Sequence, residues 1–308
     1  MGSFSIKQLE AHITLAEGGY DAGSGDSGNT KVIHLGMDVE VSKPGGKEKN
    51  KCTCKIYNMP LDDMEKLTTL AFDPLAVKNN KISIQAGDTE NGLSEVFSGD
   101  ITSAVPVFNA DAAAVFEIQA ITNYVQAITP VQPLTAEGEQ DVVSLMQGLA
   151  GKMGLTFTNK GVKGVKLRNV AFVGGAESQA RQIADAARIQ LIFDDKEMII
   201  APTGALRKDD DENTTPVLSG DSGLIGFPSF DSKGIACKCL YEPRMVVGGP
   251  VRIDSIVPKA SGLWRVTSLT HSLSANYGQA VNWQTSFNAT YPNADERDDS
   301  SKSKEASK

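Results

Sequence analysis

Apolar and polar residues alternate one by one over long stretches of this chain, and this alternation constrains its fold more than any other feature. The clearest stretch is 280–291, where one face carries Val281, Trp283, Thr285, Phe287, Ala289 and Tyr291. A period of two residues places neighbouring side chains on opposite faces of a β-strand. One face of each strand can then be buried against a core, so the chain is predicted to be mainly β.

Similar alternation fills the first part of the chain. Strands are predicted at 11–15, 33–41, 51–57, 81–87, 95–105 and 113–122, and a Gly-rich polar loop spans 17–31. One short helix fits 60–71, because proline opens it and Asp62 and Asp63 follow where they complement the helix dipole. Antiparallel strands with a single helix indicate a small barrel or curled sandwich.

The pattern changes after Ala127. Apolar residues recur at helical spacing from Val142 to Met153, and Gly154 is the expected end of this helix. A second helix fits 177–188, and the segments 189–193 and 197–201 are predicted to form a β-hairpin. The middle of the chain is therefore predicted to be a compact α+β insert, which a charged linker or exposed loop at 207–213 follows.

Strands return in the last third of the chain, at 234–241, 250–256, 263–273 and 280–291. From Asn293 onward the chain is polar, charged and without aromatic residues, so a disordered tail is predicted. The expected domains are a first β-barrel or sandwich at 1–127, the α+β insert at 128–210, a second β-barrel or sandwich at 211–292, and the tail at 293–308.

The two β regions resemble each other in sequence. The segment KCTCKIY at 51–57 is similar to IACKCLY at 235–241, with an ambiguity of one residue in register. A short alternating strand follows each segment, with Ile82 and Ile84 in the first region and Val251 and Ile253 in the second. An aromatic residue, Phe97 or Trp264, then opens a pair of strands. A duplicated barrel interrupted by an insert explains this order, and chance similarity among β-strands is the alternative.

Charge and composition exclude some classes of function. The 308 residues carry a net charge of -8, and a specific nucleic-acid binder would instead need many Lys and Arg residues to neutralise phosphates. No segment approaches the ~18 unbroken apolar residues of a membrane-spanning helix. The first residues lack a basic segment followed by an apolar one, so no secretory signal is predicted and assembly in a cytoplasm is expected.

The four cysteines form two Cys-x-Cys pairs, Cys52/Cys54 and Cys237/Cys239. A spacing of two places both thiols of a pair on one face of a strand. They are interpreted as buried free cysteines that act as small apolar residues. A four-cysteine metal site is the alternative, although structural zinc sites usually use a spacing in which a turn aims both thiolates at the metal. No metal or other cofactor is therefore assigned.

Two short segments match the sequence motifs of a dinucleotide-binding site and of a serine nucleophile. Residues 23–28 read GSGDSG, but a dinucleotide site requires a strand before this motif and a helix after it, whereas a strand is predicted to follow it here. The tetrapeptide GDSG occurs at 25–28 and at 220–223. A nucleophilic serine needs a histidine base within hydrogen-bonding distance. Turn chemistry explains both serines.

The remaining titratable residues do not assemble a catalytic group in the sequence. His12 and His34 lie on polar faces of predicted strands, and His271 is interpreted as a hydrogen-bonded strand residue. The acidic residues at 62–63 and 209–212 fit a helix start and a solvated run. No catalytic, cofactor-binding or metal-binding residue is assigned.

Several segments, taken in order, resemble the baseplate-hub proteins of contractile (myovirus-type) phage tails. LRNVAFVGGA at 167–176 is similar to that family's strand followed by an alanine-rich helix, and QLIFDDKEMII at 190–200 to the hairpin after it. The remaining similar segments are GLIGFP at 223–228, CLYEP at 239–243, GGPV at 248–251, WRVTSLTH at 264–271 and WQT at 283–285. In the first third, IYN at 56–58 and FSGDI at 97–101 resemble the family's first barrel. The cysteine pairs and the long loop at 17–31 depart from the family pattern.

The resemblance implies a structural protein, not an enzyme. In such hubs each chain carries two tail-tube-like barrels, and three chains form a pseudo-sixfold ring between the sixfold tail tube and the threefold spike. The implied partners are two further copies of the chain, the spike or puncturing protein, the tail tube or tube-initiator protein, the baseplate wedge proteins and the tape measure protein. The alternatives are the hub of a phage-like injection particle or tail-type bacteriocin, and a hub that carries a cell-wall hydrolase.

Overall fold

A computed structural model describes residues 5–20, 28–46, 48–69, 80–108, 114–129, 131–207, 211, 214–276 and 282–292. The chain divides into two compact units. Unit 1 contains Met1–Lys43, Lys49–Val125 and Thr270–Thr285, and unit 2 contains Pro44–Glu48, Gln126–Leu269 and Ser286–Lys308. Residues 21–27 of the predicted Gly-rich loop and the whole tail at 293–308 lie outside the described residues.

Unit 1 is built from antiparallel strands. In chain order its main elements are β1 (Lys7–Thr14), β2 (Thr30–Ile33), β3 (Met37–Lys43), β4 (Lys51–Tyr57), α1 (Leu61–Leu67), β5 (Lys81–Asp88), β6 (Gly92–Phe108) and β7 (Ala114–Ile121). The strands are neighbours in the order β2-β1-β5-β6-β7-β4-β3. Every one of these pairs is antiparallel.

The alternating apolar residues of these strands form the core of unit 1. Residues at every second position are buried, for example Leu9, Ala11 and Ile13 in β1 and Met37, Val39 and Val41 in β3. The alternation therefore predicts both the strands and their buried faces, and the prediction of a mainly β protein is confirmed.

The strand predicted at 33–41 is two strands in the structure. β2 pairs with β1, whereas β3 pairs with β4, so the chain must change neighbours between them. The carbonyl of Gly36 in this connection accepts a hydrogen bond from the backbone N–H of Tyr57 (2.9 Å). Alternation continues through the break, and for this reason the sequence pattern does not reveal it.

Helix α1 is shorter than the predicted helix at 60–71. It ends at Leu67, where the Thr68 hydroxyl donates to the carbonyl of Met64 (2.6 Å), and residues beyond Thr69 are outside the described part. Asp63 does more than complement the helix dipole, since this buried carboxylate pairs with the ammonium of Lys31 (2.9 Å).

The first part of unit 2 is the α+β insert. Its elements are β8 (Leu134–Asp141), α3 (Val142–Met153), β9 (Thr156–Asn159), β10 (Lys166–Phe172), α4 (Ala176–Ala187), β11 (Ile189–Asp194) and β12 (Glu197–Pro202); helix α2 (Tyr124–Ile128) precedes them. β8 pairs with β10, and β11, β12 and β9 form a second small sheet in which β9 is parallel to β12.

Both predicted helices and the predicted hairpin of the insert are confirmed. Asp141 caps the start of α3 by accepting from the backbone N–H of Ser144 (2.9 Å), and Gly154 ends the helix at φ 68°. The helices bury one face each in a common core that includes Val142, Met146, Leu149, Ala180, Ile183, Met198 and Ile200. β8 and β9 were not predicted.

The start of the predicted linker at 207–213 is not an exposed loop. The guanidinium of Arg207 pairs with Asp194 and with Glu197 (2.9 Å), and the residue is only 8% exposed. Its backbone N–H also donates to the carbonyl of Gly248 (2.7 Å). The linker prediction at Arg207 is therefore wrong, because a charged side chain with two acidic partners can be buried. Most of the remaining run lies outside the described residues.

The second β region completes unit 2. Its elements are β13 (Val217–Leu218), β14 (Leu224–Phe230), β15 (Ile235–Leu240), β16 (Pro250–Ile253), β17 (Gly262–Ala275) and β18 (Trp283–Thr290). The last residues of β17 and the first residues of β18 belong to unit 1. The indole N–H of buried Trp264 donates to the carbonyl of Ala260 (2.8 Å), and its ring stacks on Tyr291 at 4.2 Å. The face predicted for the last strand is confirmed by the burial of Thr285, Phe287 and Ala289.

Candidate assembly surface

The two β regions share one strand order. In the first region the neighbours run β3-β4-β7-β6-β5-β1, and in the second they run β14-β15-β18-β17-β16-β13. The first region has one further strand, β2, which lies beside β1. When β2 is left out and the other six strands of each region are numbered in chain order, both sequences of neighbours are 2-3-6-5-4-1. The regions differ at the last pair, since β1 and β5 are antiparallel whereas the short β13 is parallel to β16.

Matching hydrogen bonds show which residues of β6 in the first region are equivalent to which residues of β17 in the second region. The hydroxyl of Thr102 donates to the carbonyl of Gln119 (3.1 Å), and that of Thr267 donates to the carbonyl of Asn288 (3.1 Å). One residue earlier, Ile101 and Val266 each donate a backbone N–H to the residue that precedes the neighbouring strand (2.8 and 3.0 Å). The sequences Ile-Thr-Ser at 101–103 and Val-Thr-Ser at 266–268 therefore occupy equivalent positions.

This register corrects one detail of the sequence comparison. Asp100 lies opposite the first residue of β5 and Arg265 lies opposite the first residue of β16, so Trp264 is equivalent to Gly99 and not to Phe97. A Cβ atom at Gly99 would lie 2.7 Å from the Phe97 ring. The Phe97 ring thus lies against Gly99, the position in the first region that corresponds to Trp264 in the second. The aromatic rings therefore occupy similar places although Phe97 and Trp264 are not equivalent in register.

The Cys-x-Cys pairs lie on the equivalent strands β4 and β15. All four cysteines are free and buried. Burial raises the pKa of Cys54 and of Cys239 to about 12 and that of Cys237 to about 11, so the neutral thiol is the stable form. Within the described ranges no group of three or more His, Cys, Asp or Glu residues could hold a metal ion. The positions fit the interpretation of these cysteines as small apolar core residues.

The end of β17 extends beyond its neighbour β16. β16 lies opposite Gly262–Arg265 only, and residues 270–275 of β17 belong to unit 1, where β3 lies beside them. Leu273 in this segment is 1% exposed. The side-chain amide of Asn276 donates to the carbonyls of Leu9 (2.8 Å) and Leu35 (3.2 Å). Packing and hydrogen bonds therefore hold the end of β17 in unit 1.

The end of β6 extends beyond β5 in the same way. β5 lies opposite β6 as far as Asp100, whereas β7 pairs with β6 as far as Phe108. We call residues 101–108 the β6 overhang. Ala104 in the overhang exchanges hydrogen bonds with Thr69, but Val105 is 37% and Phe108 is 67% exposed.

β14 is the last strand of the second region and exposes apolar side chains. β15 covers one of its edges, and no strand pairs with the other among the described residues. Ile225 is 39%, Phe227 69% and Phe230 53% exposed, and Leu240 on β15 is 56% exposed. A register shift follows Ile225, where Gly226 has a φ of 70°. We call this strand and its open side the β14 edge.

Such an edge is unusual for a protein that stays monomeric. Soluble proteins normally protect edge strands with charges, proline or a covering element, because an open edge can pair with another chain. The β14 edge has a bulge and contains Pro228, and it also exposes two phenylalanines and an isoleucine. Apolar residues of this size are typical of interface cores.

The serine and histidine candidates have structural partners. The Ser222 hydroxyl donates to the carbonyl of Val217 (2.8 Å) within the turn before β14. His271 is buried, and its Nδ1 lies 2.8 Å from the Thr285 hydroxyl. His12 and His34 both contact Glu10. The turn at 220–223 and the strand position of His271 are thus confirmed, while the motif at 23–28 lies mostly outside the described residues.

A polar groove of about 330 Å³ lies on the outer face of unit 1. Its lining includes Asp38 and Glu40 of β3, Thr53 and Lys55 of β4, and Ser272 and Ser274 of β17. The Tyr57 hydroxyl donates to Asp38 (2.6 Å). No histidine or cysteine is among the described residues that line it. The groove follows the seam between β3 and β17 and offers no nucleophile with its base.

The overall fold is that of known tail proteins. The 43 kDa tail protein of prophage MuSo2 from Shewanella oneidensis shares 7% identity at a TM-score of 0.61, over 92% of this chain and 97% of that one. A tail protein from Neisseria meningitidis MC58 gives 9% identity and a TM-score of 0.62, over 92% and 96% of the two chains. The c3393 protein of the E. coli type VI secretion system gives 10% identity and a TM-score of 0.52, over 91% and 76%.

The fold is thus the mainly β fold that known tail proteins have. The model of the family described as "Baseplate hub gp41" matches residues 22–280, and the chain belongs to this family. It is therefore a structural component of a phage-type tail baseplate, located in the virion tail. Comparison with curated protein sequences gives no match. Among the described residues, no helix has the length and apolarity needed to cross a membrane.

Proposed function

We propose that three copies of this chain form the hub ring of a contractile-tail baseplate, which joins the sixfold tail tube to the threefold spike. The shared strand order of the two β regions is the observation that supports this most strongly. Three chains with two similar domains each place six similar domains around one axis. Such a ring matches a sixfold partner on one side and a threefold partner on the other.

The ring assigns a role to each part of the chain. Residues 1–127 and 211–292 are the two ring-forming domains, and the tail at 293–308 is a separate segment. The α+β module at 128–210 lies on the periphery of the ring or toward the spike. The tail tube or tube-initiator protein binds one side of the ring and the spike or puncturing protein binds the other. The wedge proteins and the tape measure protein are further partners, and assembly takes place in the host cytoplasm.

The charge of the chain agrees with a channel wall. A net charge of -8 repels phosphates and gives no specific affinity for nucleic acid. DNA that leaves the particle would pass such a wall without binding to it. The hub has no catalytic step in this proposal, because its serine and histidine candidates serve turns and strand contacts.

The hub of a phage-like injection particle or tail-type bacteriocin is the second candidate. This candidate is favoured by the similarity in fold to a component of the type VI secretion system, a protein that itself resembles T4 bacteriophage tail proteins in structure. The neighbouring genes distinguish the two: capsid and packaging genes indicate a phage, and their absence from the cluster indicates a tail-only particle.

A tail-assembly experiment tests the proposed function. Particles are produced from a genome with this gene deleted and are compared with the same genome complemented by the wild-type chain. The expected result in electron micrographs is a loss of complete tails in the deletion and their recovery on complementation. Intact tails without the protein would contradict the proposal. A lytic band at the mass of this chain in cell-wall zymography would support the hydrolase alternative instead.

A further inference from the structure

We infer that residues 270–276 and 282–285 complete the fold of the first β region, although the insert and most of the second β region separate them from it in the chain. We call these two stretches the closing segment. They lie in unit 1 and cover both ends of its sheet. The inference concerns the fold of one chain and does not depend on the proposed ring.

The strands of residues 1–127 leave two ends of their sheet uncovered, as far as the structure describes them. In the order β3-β4-β7-β6-β5-β1-β2, β3 is the last strand at one end. At the other end, β2 pairs with β1 only over Ala11–Thr14, so Leu9 lies past the end of β2. Because an open edge leaves backbone groups unpaired, proteins normally cover it with another element.

The first part of the closing segment meets both of these ends. β3 is the neighbour of β17, and residues 270–275 of β17 share unit 1 with it. The side-chain amide of Asn276 donates to the carbonyl of Leu9 in β1 (2.8 Å). It also donates to the carbonyl of Leu35, in the connection between β2 and β3 (3.2 Å). The segment therefore closes the sheet between β1 and β3.

The second part of the closing segment supports the same closure. The backbone N–H of Ser274 donates to the carbonyl of Asn282 (2.7 Å), which joins the two parts. The ammonium of Lys7, the first residue of β1, lies 6.0 Å from the centre of the Trp283 ring. A cation over an aromatic face at this distance is attracted to it. β1 is thus held by side chains of both parts.

One strand, β17, serves two different cores. Its residues at every second position from 269 to 275 are buried, as expected for one face of a strand. Leu269 is 2% exposed and belongs to the buried core of the second β region. Leu273 is 1% exposed, but among the described residues it is not part of that core, and it lies in unit 1. The burial of Leu273 therefore stabilises the first β region.

This arrangement sets the order of folding. Domains usually fold as units during synthesis, with the N-terminal one first. Residues 1–127 alone lack the partners of β3 and of the Leu9 carbonyl. The first β region therefore completes its fold only after residue 285 has been synthesised, and its stability depends on β17.

Hydrogen–deuterium exchange of the purified full chain tests the inference with a matched pair of variants. Leu273→Ala and Leu269→Ala remove the same atoms from equally buried positions on one face of one strand. Exchange reports the local opening of each strand. Leu273→Ala is expected to speed exchange in β1 and β3 at least tenfold and to leave β15 unchanged. Leu269→Ala is expected to speed exchange in β15 and to leave β1 and β3 unchanged.

A milder pair of variants guards against misfolding. Asn276 has a φ of 67°, which glycine adopts without strain, so Asn276→Gly removes the amide and its two hydrogen bonds but fits the backbone. Asn169→Gly, at a φ of 52° in the insert, is the matched control. Asn276→Gly is expected to speed exchange in β1 at least threefold, and Asn169→Gly to leave it unchanged.

The inference is wrong if Leu273→Ala leaves β1 and β3 at the wild-type rate, or if both leucine variants speed exchange in the same strands. Where a leucine variant yields no folded protein, the asparagine pair decides. Equal exchange in β1 for Asn276→Gly and Asn169→Gly would then overturn the inference. None of these results changes the expected number of copies in the ring, which is measured separately.

Discussion

Burial decides the chemistry of the cysteine side chains in this protein. Cys54 and Cys239 occupy equivalent strands and lie in apolar surroundings that disfavour the thiolate, so burial raises the pKa of each to about 12. A neutral thiol neither binds metal nor exchanges with disulfides readily. The spacing of the pairs and the alternation around them were sufficient to predict this interpretation from the sequence.

Thiol reactivity and alkaline stability provide the first prediction. Native protein at pH 8 should react with a thiol reagent far more slowly than unfolded protein, which should label all four cysteines. Because the folded pKa is raised above the unfolded value of about 8.5, stability is complete below that pH and decreases as pH rises toward 12, by about 1.4 kcal/mol per thiol and pH unit. Urea unfolding of wild type and of Cys54→Ala with Cys239→Ala from pH 8 to 10 measures it. The prediction would be contradicted if the free energy of unfolding changed equally with pH in the wild type and in the double variant.

The burial of Arg207 in ion pairs could not be predicted from the sequence. This residue stands at the start of a charged run, which predicts a linker or exposed loop, yet its guanidinium pairs with two acidic residues and its backbone N–H donates to the carbonyl of Gly248. Its partners, Asp194 and Glu197, flank the hairpin turn between β11 and β12. Nothing in the local composition indicates a pairing over ten or more residues.

Removal of Arg207 gives the second prediction. Arg207→Met should destabilise the protein by about 2–3 kcal/mol, because two partly buried carboxylates lose this cation. The side chain of Glu197 is 30% exposed, which keeps the effect at the lower end for a buried pair. Arg244→Met is the control: the Arg244 side chain is 51% exposed and pairs with Glu242, so its removal should cost below about 1 kcal/mol. Equal midpoints of urea unfolding for Arg207→Met and Arg244→Met would contradict this prediction.

At the scale of elements, long alternating or helical segments were predicted well. β4, β5, β7, α3, α4 and the hairpin of β11 and β12 agree with the predicted ranges to within one or two residues. β8, β9, β13 and β14 were not predicted as strands, since they are short or place apolar residues on no consistent face. β14 in particular exposes Ile225, Phe227 and Phe230, a pattern that a period of two cannot assign to a core.

The turn between β5 and β6 gives the third prediction. The pKa of the Asp88 carboxyl lies well below its ordinary value, and the largest cause is the hydrogen bond from the backbone N–H of Asn91. Burial acts to raise this pKa, whereas hydrogen bonds from the Asn91 side chain and from Lys7 lower it further. The stabilisation is present above the unfolded pKa of about 3.9 and is lost as pH falls through the folded pKa. Asp88→Asn should therefore unfold at a lower urea concentration than wild type at pH 7, and the difference should shrink below about pH 4. A difference independent of pH would contradict it.

At the scale of the whole molecule, the similarity of the two β regions could be predicted from the sequence, but the residue-by-residue register between them could not. The Cys-x-Cys segments and the pairs Ile82/Ile84 and Val251/Ile253 do lie on equivalent strands. The aromatic residues misled the alignment because the Phe97 ring covers Gly99 from two residues away. The shared Thr-Ser dipeptide at 102–103 and 267–268 is the better signal, although only the hydrogen bonds of Thr102 and Thr267 in the structure show that the two positions are equivalent.

The assembly surface could not be predicted from the sequence for a related physical reason. Exposure of Phe108 and Phe227 is a property of the folded monomer, whereas alternation reports only which residues fit a buried face. Leu273, the residue of β17 that is equivalent to Phe108, is buried within the chain.

The copy number and symmetry of the hub in the assembled baseplate test the central claim most directly. Cryo-electron microscopy of intact tails should show three copies of this chain around the channel, with six similar β domains alternating between residues 1–127 and 211–292. Six copies, or a channel lined by only one β region of each chain, would contradict the account.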